Sequence, residues 1–114
     1  MEPQKGEIWL VNFDPKISSE IGKTRPAVVV SSNAIGILPL RIVVPITSWQ
    51  NKFENTPWLI KIFRNQTNGL SNDSAADTFQ VKSISTQRLV KKIGSVSHTK
   101  LQEITTGILL CIGN

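Results

Sequence analysis

Arg25 and Thr47 are the side chains in this sequence whose types and placement best suit them to hold a phosphate. Arg25 precedes Pro26 and the β-branched run Ala27-Val28-Val29-Val30, and Thr47 ends a second such run, Ile42-Val43-Val44-Pro45-Ile46. If the two runs are antiparallel neighbours, the start of one and the end of the other meet at the same edge of a sheet. A guanidinium fork beside the hydroxyls of Thr47 and Ser48 would then offer donors that fit phosphate oxygens. Taken alone, the pattern is weak and the plainer reading is favoured. An exposed charge at a strand start and an ordinary β-former would leave the same residues in place.

The neighbouring Gly22-Lys23-Thr24 imitates the end of a nucleotide-binding P-loop. The P-loop requires a glycine where this chain has Ile17, and it requires a helix after the threonine. Here Arg25-Pro26 and the valines follow, and a residue before proline is pushed toward extended geometry. The segment therefore reads as a loop carrying Glu20, Lys23, Thr24 and Arg25 onto a strand.

Other chemistries run short of residues. One histidine, His98, and one cysteine, Cys111, cannot supply a zinc site's usual ligands. A Ser-His-Asp or Cys-His mechanism would have to centre on one of those two, and both fall near the C-terminal helix. Asp73 and Asp77 form the one close acidic pair, and they read best as loop and strand-edge charges. Catalysis, if present, must use Arg, Lys, hydroxyl and carboxylate groups, with no cofactor expected.

The elements that must position these groups are mostly strands. Expected strands cover residues 6–13, 25–31, 40–47, 57–63, 75–80 and 88–96, with alternating or continuous apolar residues bounded by Gly, Pro and Asn. Pro45 suggests a bulge or an edge. Trp58, Ile60 and Ile62 alternate on one side of the fourth strand. A helical turn is expected at 83–86. After Ser97, an N-cap type, Leu101, Ile104, Ile108, Leu109 and Ile112 fall at helical spacing, and Gly113 ends the helix. The fold class is mainly β (α+β): a small, partly open barrel of bent antiparallel strands with a C-terminal helix, one domain over residues 1–114. Both faces of the first strand are apolar, so the helix or a second subunit must cover one of them.

Composition is consistent with this. At 114 residues and 39% hydrophobic content the chain can bury one core. No apolar run approaches the ~20 residues of a membrane span, and the N-terminus lacks a signal-peptide core. A single cysteine fits a reducing compartment, so a cytoplasmic protein is expected. A net charge of +5 permits a polyanionic partner without requiring one.

Several ordered motifs resemble the MazF/PemK toxins of bacterial toxin–antitoxin systems. They are "GEIWLVNFDP", "SEIGKTRPAVVVSS", "VVPITS" and "FQVKSISTQRL", and together they span most of the chain. The resemblance implies an SH3-like barrel with a C-terminal helix, acting as a homodimer. It implies metal-independent, sequence-selective cleavage of single-stranded RNA, leaving 2′,3′-cyclic phosphate and 5′-hydroxyl ends. The family's catalytic arginine and threonine fall on Arg25 and Thr47, and the glutamate of its RNA site falls on Glu20. Lys23, Thr24, Ser48, Trp49, Gln80, Lys82 and Ser83 join them as candidate RNA contacts. For Trp49 a core or interface aromatic is an equal alternative, and for Gln80, Lys82 and Ser83 a strand-end polar role is the stronger one. Trp9 and Trp58 are expected in the core. The implied partner is an antitoxin with a disordered acidic tail. Residues 33–40 and 49–56 have no ready match. The different-class alternative on the same fold is a CcdB-like toxin, which binds gyrase and cuts nothing. That family ends in Trp-Gly-Ile, whereas this chain ends Cys111-Ile112-Gly113-Asn114.

Overall fold

The computed structural model describes residues 2–113. Among the described residues seven strands precede one α-helix: β1 (Glu7–Asn12), β2 (Thr24–Val29), β3 (Leu40–Ser48), β4 (Leu59–Ile62), β5 (Ser74–Asp77), β6 (Lys82–Ser85), β7 (Leu89–Ser95) and α1 (His98–Ile112). All the strand pairings are antiparallel, and the sheet runs β4-β5-β3-β2-β1-β7 without closing.

β3 organises the sheet. Its first half pairs with β6 up to Val43, and its second half pairs with β5 from Ile46. Pro45 falls in the gap between these two partners while lying opposite Ala27 of β2. A residue with no N–H to donate suits the point where a strand changes partners. The anticipated bulge or edge is thus a switch in the middle of the sheet.

Both faces of β1 are covered within the chain. Ile8 joins Val28, Val44, Ile46, Ile62, Leu70 and Ala76 against Ile104 of the helix. Trp9, Val11 and Phe13 pack on the opposite face with Ala27, Val29, Val43, Ile84 and Leu89. The second cluster is closed by the bent sheet itself, since β6 and the start of β7 fold over it. Each fully buried aliphatic side chain of this size contributes about 1.5–3 kcal/mol.

The helix begins where expected, with the Ser97 hydroxyl accepting the Lys100 N–H at 3.1 Å. Leu101, Ile104 and Ile108 face the core, but Leu109 and Ile112 are exposed. The last turn still packs through Cys111, whose Sγ lies 3.5 Å from Thr78 Oγ1, so the covered stripe runs Ile104, Ile108 and Cys111 while Leu109 and Ile112 fall to its sides. Gly107 lets the helix approach closely: a Cβ there would lie 2.9 Å from the Thr78 side chain. No helix among the described residues is long and apolar enough to cross a membrane.

Three expectations for local structure need correction. The turn anticipated at 83–86 is strand β6 through Ser85, and the helical turn falls at Thr86–Arg88. The fifth strand stops at Asp77, because the Asp77 carboxylate accepts the Phe79 N–H at 3.2 Å and turns the chain into a 3₁₀ turn over Thr78–Gln80. Trp9 is buried as expected, but Trp58 lies just outside β4, is 38% exposed, and meets Phe79 edge-on at 6.0 Å.

Candidate active site

The β2–β3 register pairs Ala27 with Pro45 and Val28 with Val44. Two residues further along, Arg25 stands beside Thr47 on the same face, as the sequence anticipated. Arg25 Nη1 is 3.4 Å from Thr47 Oγ1, a long contact that leaves both groups available to a third. Arg25 Nε donates to the Gly22 carbonyl at 2.9 Å and so fixes the plane of the guanidinium. No carboxylate lies within 4.0 Å of Arg25 among the described residues. The guanidinium therefore holds an un-neutralised positive charge, half-buried, beside a hydroxyl.

The loop before Arg25 is tied down at several points. Lys23 has a left-handed φ of 65°, and its N–H donates to Asp14 Oδ1 at 2.7 Å. Gly22 is packed so tightly that a Cβ would come within 2.9 Å of Lys16 Cβ and 2.7 Å of Asp14 Oδ1. From the other side, Gln80 Oε1 accepts the Ile21 N–H at 3.0 Å, and Gln80 Nε2 donates to the Ser19 carbonyl at 3.0 Å. Asp77, which caps the turn carrying Gln80, is half-buried. Burial pushes its carboxyl above the usual range, against the opposing pull of the Phe79 and Gln80 backbone N–H groups.

These contacts place the candidates unevenly. Lys23, Thr24, Arg25, Thr47 and Ser48 line one groove of about 450 Å³, together with Leu70, Ser71, Asn72 and Ser74. Glu20 is outside it, with its carboxylate accepting the Ile17 N–H at 2.9 Å within the loop. Lys82 and Ser83 pair with Val43 and Ile42, on the half of β3 away from Thr47, and do not line the groove. Gln80 holds the loop rather than lining the groove. Trp49 is half-buried beyond Ser48, with its ring edge-on to Phe53 at 5.7 Å.

The wall formed by Leu70, Ser71, Asn72 and Ser74 was missed by sequence reasoning. Its one signal was the polar run after the Asn68-Gly69 turn. Asp73 there is structural: its carboxylate accepts the Arg64 N–H and its carbonyl accepts the Trp49 N–H, both at 2.9 Å. Among the described residues, no three His, Cys, Asp or Glu side chains cluster closely enough to hold a metal ion.

Gln80→Ala should release the loop. Two net hydrogen bonds are worth about 1–3 kcal/mol, and the Ile21 amide should exchange with solvent roughly tenfold faster or more. Gln80→Glu keeps the acceptor for Ile21 but loses the donor to Ser19, so it should fall between. Amide exchange measured at Ile21 in both variants checks this; unchanged protection in Gln80→Ala would show that the loop holds itself.

Residues 4–112 match the family described as the PemK-like, MazF-like toxin of type II toxin–antitoxin system. Over 113 residues the chain is 36% identical to Endoribonuclease MazF9 of Mycobacterium tuberculosis (strain ATCC 25618 / H37Rv), covering 94% of this chain and 93% of that protein. Its fold is similar to MazF (Form-I) from Deinococcus radiodurans, with a TM-score of 0.83, 20% identity and coverage of 100% and 99% of the two chains. It is also similar to an endoribonuclease in complex with its cognate antitoxin from a mycobacterial species, with a TM-score of 0.73, 15% identity and coverage of 97% and 95%.

Proposed function

This chain belongs to the PemK-like, MazF-like toxin family of type II toxin–antitoxin systems, and from that premise we propose that it is a toxin that cleaves single-stranded RNA at selected sequences without a metal. The observation that carries the reading is the Arg25–Thr47 pair, 3.4 Å apart in a groove, with the arginine plane held by Gly22. The relative named Endoribonuclease MazF9 supports the same activity.

In the proposed reaction the 2′-oxygen of RNA bonds to the adjacent phosphorus and the bond to the 5′-oxygen breaks. The 2′-hydroxyl proton leaves to a base, the 5′-oxygen gains a proton, and the product ends are a 2′,3′-cyclic phosphate and a 5′-hydroxyl. Because the nucleophile is the substrate's own, the protein's tasks are alignment, charge stabilisation and proton transfer. Arg25 faces the negative charge that builds on the phosphorane oxygens, and Thr47 adds a hydrogen bond, with Ser48 beside it. A guanidinium gives up its proton reluctantly, which suits Arg25 to charge stabilisation rather than to the role of base. Lys23 and Thr24 line the approach, while Gln80 acts through the loop.

The reading extends to partners. A single toxin domain over residues 1–114, working as a cytoplasmic homodimer, would be neutralised by an antitoxin whose acidic tail covers the groove. The net charge of +5 and the antitoxin-bound structural relative support this. An acidic tail that orders on the groove competes directly with RNA.

The test is incubation of purified protein with mixed-sequence single-stranded RNA in EDTA, alongside a gyrase supercoiling assay. Cleavage at a subset of sites, with cyclic phosphate ends and gyrase unaffected, is the expected result. Intact RNA with inhibited gyrase would establish the CcdB-like alternative instead.

A further inference from the structure

The sheet carries a second set of groups in line with Arg25 and Thr47. Thr47 of β3 pairs with Ala75 of β5, and Ala75 pairs with Lys61 of β4. Residues directly opposite one another share a face of the sheet. Arg25, Thr47, Ala75 and Lys61 therefore form one row across four strands, and Lys61 lies two strand spacings, ~10 Å, from Thr47. The residue between them is Ala75, which is itself fully buried. Residues two positions along a strand return to the same face. Trp49 stands just past the end of β3, two positions after Thr47, and Phe63 just past the end of β4, two after Lys61.

The Lys61 ammonium sits 4.7 Å from the Trp49 ring centroid and 4.8 Å from that of Phe63. Among the described residues no carboxylate comes within 4.0 Å of it. Two aromatic faces hold the cation in place and leave its charge un-neutralised. Phe63 is 62% exposed although Lys61 lies against its ring, so most of that ring stays open to solvent. Trp49 is steadied from the other side by Phe53, edge-on with an interplanar angle of 88°.

We propose that Lys61, Phe63 and Trp49 form a nucleotide subsite for single-stranded RNA, next to the scissile-phosphate position at Arg25 and Thr47. This rests on the ribonuclease reading and adds to it a place for a neighbouring nucleotide. Lys61 meets that nucleotide's phosphate, and the exposed ring of Phe63 meets its base. An ammonium beside an open aromatic face is the pairing that single-stranded nucleic acid sites use, because every base has a π-face and every linkage a charge. Charge complementarity favours RNA here, and the stacking ring distinguishes it from a purely acidic peptide.

The subsite is tested with Lys61→Gln and Phe63→Ala. Both alter exposed or half-exposed groups, so circular dichroism and thermal unfolding should match the wild type. The cleavage position is first mapped on a mixed-sequence RNA with wild-type protein. Binding is then measured across a salt series with the same RNA carrying deoxyribose at the cleaved nucleotide. Lys61→Gln should flatten the slope of log affinity against log salt by about 0.7, one phosphate contact on a single strand. Phe63→Ala should weaken binding about tenfold, and that loss should vanish when one particular neighbouring nucleotide is made abasic. In cleavage assays both variants should raise KM with kcat nearly unchanged. A wild type that cleaves RNA, with both variants matching its affinity and salt slope, overturns the subsite alone. A wild type that neither binds nor cuts RNA overturns the ribonuclease reading with it. Variants that lose binding to an acidic peptide but keep full RNA affinity reassign the face to a protein partner and also overturn the subsite.

Discussion

Arg25→Ala should lower RNA cleavage by at least ~10³-fold while the protein remains folded. Removing a single donor aimed at developing negative charge costs about 10²–10³ in rate, and an arginine on a transferring phosphoryl group is worth about 10³–10⁵. In the proposed reaction Arg25 would combine these roles, since its guanidinium is the un-neutralised charge beside Thr47. The cost to stability is smaller. The side chain is half-buried, and the substitution removes its hydrogen bond to the Gly22 carbonyl, worth about 0.5–1.5 kcal/mol. Arg25→Lys sharpens the case. A lysine keeps the charge but has no planar fork, so it cannot hold Gly22 and still present paired donors to a phosphate. Most of the activity should be lost there too. The measurements are kcat/KM on a labelled RNA and urea unfolding of each variant. Activity of Arg25→Ala within tenfold of the wild type would remove Arg25 from the chemistry.

The pairing behind that expectation was legible in the sequence for a physical reason. Two sequential β-branched runs with a short connection pair antiparallel, and Pro26 fixes the extended geometry in which Arg25 meets its strand. Gln80 was not legible in the same way. Its partners Ser19 and Ile21 lie about sixty residues away in sequence, and only the folded sheet brings them to its amide. The strand β6 was hidden because Lys82-Ser83-Ile84-Ser85 buries a single apolar side chain, too little to show a period of two. Lys61 escaped notice for a related reason. A lysine within Leu59-Ile60-Lys61-Ile62 reads as the solvent side of a strand, and its alignment with Thr47 depends on the β5 register. Ala75 and Ala76 carry almost no sequence signal for that register. Glu20, placed by resemblance, turned out to be engaged within its own loop. Local chain geometry was readable from residue types; what required the structure was which distant side chains hold or extend the site.

An RNA with a single deoxyribose on the 5′ side of the scissile bond should bind this protein and remain uncut. The 2′-hydroxyl is the proposed nucleophile, and its deletion leaves the phosphate, the bases and every protein group in place. Affinity should change by no more than one neutral hydrogen bond, about 0.5–1.5 kcal/mol, which is roughly tenfold or less. The rate should fall far more. A well-oriented neighbouring group acts at an effective molarity of about 10⁵–10⁸ M, so replacing it with solvent water predicts a loss of at least ~10³-fold. No cluster of acidic or histidine ligands stands ready among the described residues to organise a metal-bound water in its place. Binding is measured by anisotropy and cleavage on denaturing gels, with the all-ribose oligonucleotide as control. Cleavage of the deoxy substrate would sink the intramolecular attack, and its end groups would identify the replacement. A 3′-phosphate end would point to water as the nucleophile or to a covalent intermediate, and Thr47, whose hydroxyl lies 3.4 Å from the guanidinium, would be the first group to examine for the latter.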